Sequence, residues 1–69
     1  MTPAEAFTQA VGIAGSERQL ADRTRYSQHA IWHARKRGKP TAEMALRIER
    51  ATGVPAAALR PDIFNPTGD

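Results

Sequence analysis

The stretch Glu17 to Lys39, ERQLADRTRYSQHAIWHARKRGK, decides how this chain folds. Ser16 stands ahead of it as a helix cap, with Gln19 three positions on to complete a capping box. Leu20 and Ala21 are apolar in an otherwise charged run, so they define the inward side of a short helix. Arg18, Asp22 and Arg23 then face water. That helix is predicted to stop around Thr24-Arg25-Tyr26, a turn without glycine or proline. Ser27 caps the next helix, which runs from Gln28 to about Arg37, with Gly38 as its C-cap and Pro40 barring continuation. At about 100° per residue, Ala30, Ile31 and Ala34 share one small apolar arc. Gln28, Trp32, Lys36, His29 and His33 occupy the opposite arc, rich in hydrogen-bonding and cationic groups. Residues 17–37 therefore read as two helices across a tight turn, the second presenting a polar face.

Outward from this unit the chain continues as helices. Thr2, Pro3 and Glu5 form a capping box with proline at the first helical position. Phe7, Ala10, Val11 and Ala14 follow as an apolar stripe, and the helix ends near Gly15. Thr41 caps a helix from Ala42 to Thr52, with Met44, Ala45, Ile48 and Ala51 inward and Gly53 at its end. Val54-Pro55 is an extended link, and Pro55 to Leu59 has room for one helical turn. Arg60-Pro61-Asp62-Ile63-Phe64 reads as an extended arm carrying two large apolar residues. Residues 65–69 are polar and expected to fray. The expectation is an all-α, compact domain of four to five helices over residues 1–64, with a frayed tail.

Composition narrows the function. The chain has 69 residues, no cysteine and a formal net charge of +3, so it has neither disulfides nor thiolate metal sites. A core this small supplies only about 3–5 kcal/mol of net stability, which makes pairing with a second copy an expected source of more. No apolar run reaches the roughly 18–20 residues that span a bilayer, and the N-terminus lacks a signal-peptide pattern. A cytoplasmic protein of a bacterial or phage-infected cell is expected. The charge is unevenly placed. Residues 23–39 carry Arg23, Arg25, Arg35, Lys36, Arg37 and Lys39 and no acid, a local net of +6, against −2 before and −1 after. Such a patch points to a polyanion.

The apolar positions of the central unit fit a DNA-binding helix-turn-helix: Ala21 where the helices cross, and Leu20, Tyr26 and Ile31 before the crossing, in the turn and along the second helix. The run resembles the helix-turn-helix of the Cro and cI repressor superfamily. With Ile48-Glu49-Arg50-Ala51-Thr52-Gly53 and Leu59-Arg60-Pro61-Asp62-Ile63-Phe64 added, it is most similar to small Cro-like phage regulators and YdaS-type antitoxins, over roughly residues 5–64. Two positions depart from that pattern. Arg25 stands where the family's turn has a glycine in the left-handed conformation, and Trp32 lies two residues before the family's usual tryptophan, which here is Ala34.

The resemblance implies a sequence-specific regulator of transcription, a prophage repressor or an antitoxin-type autoregulator, bound as a homodimer to a palindromic operator in double-stranded DNA. Residues 28–37 would enter the major groove. Gln28 is the leading base reader, because its amide pairs bidentately with adenine. His29 and His33 follow, and Trp32 stands either against a thymine methyl or packed within the protein. Gln19, Arg25, Ser27, Arg35, Lys36, Arg37 and Lys39 are candidates for phosphate, where contacts set position rather than sequence. Ile63 and Phe64 are candidates for core or dimer contacts. His29 and His33 sit at the i, i+4 spacing of a metal pair, but without a third ligand no metal site is expected. Nor is a cofactor, and a toxin partner is left open. An enzyme is not expected: paired carboxylates, a nucleophilic cysteine and a phosphate-cradling glycine loop are all missing. The rival reading is a helical protein-interaction module working through Trp32 and the Ile63-Phe64 arm.

Overall fold

A computed structural model describes residues 2–64. Among them are five helices: α1 (Pro3–Ala14), α2 (Glu17–Thr24), α3 (Gln28–Arg37), α4 (Ala42–Thr52) and α5 (Ala56–Leu59). The fold is the all-α architecture expected; the frayed tail at 65–69 lies outside the described residues.

The helix starts follow the caps written in the sequence. Thr2 and Glu5 form the full reciprocal box, with the Glu5 amide donating to Thr2 Oγ1 at 3.1 Å and the Thr2 amide to Glu5 Oε1 at 3.0 Å. The Thr2 amide first, and its hydroxyl second, hold the Glu5 carboxyl below its ordinary pKa. Ser27 and Thr41 accept from the amides of Ala30 and Met44. Ser16 makes half of its expected box: it accepts from the Gln19 amide at 3.1 Å, but the Gln19 side chain does not return to the cap. Its Oε1 lies over Gly15 instead, 1.8 Å from where a β-carbon on that glycine would stand. Gly15 has φ +112°, so the α1–α2 corner needs glycine for its backbone conformation and for this close cover.

One core joins the helices. Phe7, Leu20, Ile31, Ile48 and Leu59 are its largest fully buried side chains, set among small residues at Ala6, Ala10, Ala21, Ala34 and Ala45. Each large one contributes about 1.5–3 kcal/mol by leaving water. α2 lies against α1, α3 and α4, and α5 closes the far side against α1 and α4. Ala21 is 2% exposed, which lets α2 approach its neighbours closely. Thr24, the buried polar residue, hands its hydroxyl proton to the Leu20 carbonyl at 2.8 Å, so it costs the core no unpaired group.

The segment after α5 corrects a sequence expectation. Residues 60–64 do not leave as an extended arm; they turn back. The Arg60 carbonyl accepts from the amides of Ile63 and Phe64 at 3.0 and 2.9 Å. Its guanidinium grips both Asp62 oxygens at 2.9 and 2.7 Å and donates to the Pro40 carbonyl at 2.7 Å. Phe64 is thereby packed on the core, while Ile63 stays 48% exposed. Pro61 stands at the second position of this turn, which its fixed φ favours, and Arg60 ties the turn to the α3–α4 loop through the Pro40 carbonyl. The Arg60 contact holds the Asp62 carboxyl at a pKa of about 2.

Candidate nucleic-acid interface

Arg25 makes the turn that aims α3. It adopts φ +63° and ψ +28°, the one non-glycine among the described residues with positive φ. The Tyr26 amide reaches back to the Ala21 carbonyl at 3.0 Å, which closes the end of α2 around the left-handed residue. An L side chain in this conformation costs about 1–2 kcal/mol. Arg47 of α4 supports the same turn. Its guanidinium lies 4.8 Å from the Tyr26 ring centre, donates to the Thr24 carbonyl at 3.3 Å and pairs with Glu43 at 2.9 Å.

From that turn α3 starts with an exposed face. Ser27, Gln28, His29, Trp32, His33, Arg35, Lys36 and Arg37 are all exposed, while Ile31 and Ala34 are buried beneath them. Gln28 stands free in the first turn of the helix. Trp32 is 44% exposed, so it does not complete the core; that place is filled by Ala34. Its indole stacks beside His29, with ring centres 6.1 Å apart, meets His33 edge-on at 5.1 Å, and takes the Lys36 ammonium over its face at 4.7 Å. The two imidazole Nε2 atoms are 2.9 Å apart. The face thus carries an amide, two imidazoles and an indole in one patch, with a cation at its edge.

The candidate phosphate residues divide by geometry. Lys36, Arg37 and Lys39 are exposed beyond the middle of α3, and Arg25 is exposed at its start. Arg35 is occupied: its guanidinium is paired with Glu17 at the start of α2, a bridge that the spacing of 18 residues does not advertise. Gln19 is exposed but folded over Gly15. No carboxylate among the described residues lies on α3 itself.

A family model described as "Bacterial toxin YdaS" matches residues 7–67. The chain belongs to the YdaS family. This is the family that the helix-turn-helix and the two C-terminal motifs resembled, although its description says toxin rather than antitoxin. The YdaS chain is thus a small protein of toxin–antitoxin type. No curated protein and no solved structure matches it.

Two sets of residues in this YdaS chain were not singled out from sequence. Arg47 and Arg50 of α4 join Arg23 and Arg25 around a cleft of about 280 Å³, so the basic surface extends past residue 39 onto a second helix. Their signal was the i, i+3 spacing on α4, masked because Glu43 and Glu49 bring that segment close to neutrality. The second set holds the C-terminal motifs in place. Glu49 Oε1 accepts from the Ala56 amide at 2.7 Å and caps α5 from a distance, and the Thr52 hydroxyl bridges the Ile48 carbonyl and the Val54 amide. These motif residues serve the fold, while the exposed groups of α3 stand apart as candidates for recognition.

Proposed function

We propose that this YdaS chain is a sequence-specific, double-stranded DNA-binding regulator of transcription that reads its operator with α3. The observation that carries this reading is the exposed patch of Gln28, His29, Trp32 and His33, held on a helix whose opposite face is locked into the core. Gln28 reads adenine through its amide, and the imidazoles and indole meet neighbouring base edges and methyl groups. Arg25, Lys36, Arg37 and Lys39 meet phosphates on either side and set register, with Ser27 at the helix start. Arg35 contributes after release from Glu17. The protein acts as a homodimer on a palindromic site, one recognition helix per half-site about 10 bp apart. Its role is that of a prophage repressor or an autoregulator within a toxin–antitoxin pair. It is a binder, not a catalyst, and needs no cofactor.

A second reading has its own support. Trp32 and Ile63 are large apolar side chains left at the surface, and such residues suit a protein partner. Selection from a pool of random duplexes separates the two. A palindromic consensus is the expected result; absence of any enriched sequence would leave the protein-interaction reading in its place.

A further inference from the structure

The imidazoles of His29 and His33 are more than two adjacent polar groups. Both rings are exposed on successive turns of α3, their planes stand at 89°, and their Nε2 atoms share a hydrogen bond at 2.9 Å, one ring donating to the other. Metal–imidazole bonds are about 2.0–2.1 Å. Two such bonds at a right angle place the nitrogens about 2.9 Å apart, and two at the tetrahedral angle about 3.3–3.4 Å. The observed separation already brings both nitrogens within reach of one ion, and release of the proton they share frees both lone pairs for it. The ring torsions are broad and the side chains are unhindered by the core, so both nitrogen lone pairs can turn to one point.

We infer that His29 and His33 form a two-point chelate for a divalent transition-metal ion, Cu(II) before Ni(II). The ordering follows the intrinsic affinity of nitrogen sites for these ions. Two protein ligands leave the remaining positions to water. No group of three or more His, Cys, Asp or Glu side chains suited to a metal is found among the described residues, so the ion is held exchangeably rather than as part of the fold. The Lys36 ammonium is drawn over the Trp32 ring, and the ligating atoms are neutral imidazole nitrogens. The inference stands on the histidine geometry alone and does not require the DNA reading. A bound ion would nevertheless occupy two of the groups assigned there to base contact.

Trp32 is the chain's one tryptophan, and its ring centre lies 5.1 Å from His33 and 6.1 Å from His29. Its emission therefore reports on the site directly. The experiment titrates the full-length protein, without DNA, with Cu(II) and separately Ni(II) in mildly alkaline buffer, where protons compete least for imidazole. The expected result is saturable quenching at one ion per chain, tighter for Cu(II). In His29→Ala or His33→Ala the half-saturation point should rise by about 10-fold or more, since even groups outside the ligand shell cost 10–100-fold. Circular dichroism of the variants should match the parent, because both side chains are exposed. Quenching without saturation, or with the same midpoint in the single variants, would overturn the chelate. Because DNA is absent, that failure is distinct from a failure to bind an operator.

Discussion

Arg25 carries two opposed demands. Its left-handed backbone disfavours any side chain, yet its charge sits one turn ahead of the helix assigned to recognition. Replacing it with glycine removes the backbone cost while enlarging the freedom of the unfolded chain, for a net gain of up to about 1 kcal/mol. Arg25→Gly should thus raise the melting temperature by up to about 4–8 °C in a domain of this size, while weakening DNA binding and removing about 0.9 per protomer from the salt slope for the lost phosphate contact. Thermal unfolding and binding titrations check both halves; a variant that melts lower would contradict the strain argument. Gln28 and Lys36 offer a parallel contrast on α3. Gln28→Ala should flatten the preference at one base pair by about 1–3 kcal/mol. Lys36→Ala should weaken every sequence alike. At this scale the sequence was informative wherever a residue's own backbone or chemistry was at issue. The caps at Thr2, Ser27 and Thr41 and the exposed polar arc of α3 were visible in it, whereas the left-handed turn at Arg25 was implied only by the family pattern, since arginine itself gives no sign of it. The place of Gln19 was not visible, because a flexible amide chooses between its own cap and a neighbouring glycine on grounds that spacing does not reveal.

Between elements, the Glu17–Arg35 bridge ties the start of α2 to the middle of α3. Its side chains are 24% and 42% exposed, respectively, so solvent screens the pair and its contribution to stability is about 0–1 kcal/mol. Glu17→Gln should therefore change stability little. It frees Arg35 and removes an acid from the edge of the basic face, so DNA affinity should rise at low salt and the salt slope should steepen. An unchanged slope would show that Arg35 does not reach phosphate when released. Pairings of this kind escape a reading of the chain because they depend on how two helices cross. Arg47 shows the same limit: a helix-face charge by sequence, it braces Tyr26 and the end of α2 in three dimensions.

Across the whole molecule, the turn after α5 closes the fold on itself. Arg60 links Asp62 to the Pro40 carbonyl, so the end of the described chain is anchored to the loop that follows α3. The Arg60 guanidinium holds the Asp62 carboxyl at about 2, below its ordinary 3.8. A carboxyl depressed on folding stabilises the native state above its unfolded pKa and loses that contribution as pH falls through the folded one. The parent should keep this contribution through mild acid and lose it between about pH 4 and pH 2. Asp62→Asn should lose stability at neutral pH and show a shallower acid transition in that window. A parent and variant with parallel pH profiles would place the turn's stability elsewhere. The tail motif was legible as a motif but its anchoring was not, because the tie to the fold is a carbonyl 20 residues away.

The central claim is that α3 reads DNA while its buried side belongs to the core. The most direct measurement is the affinity of the full-length protein for its selected duplex between 50 and 200 mM salt. With Arg25, Lys36, Arg37 and Lys39 on phosphates in each half-site, the logarithm of affinity should fall linearly against that of salt. The expected slope is about −3 or steeper per protomer. An affinity that is weak and indifferent to salt would contradict the account.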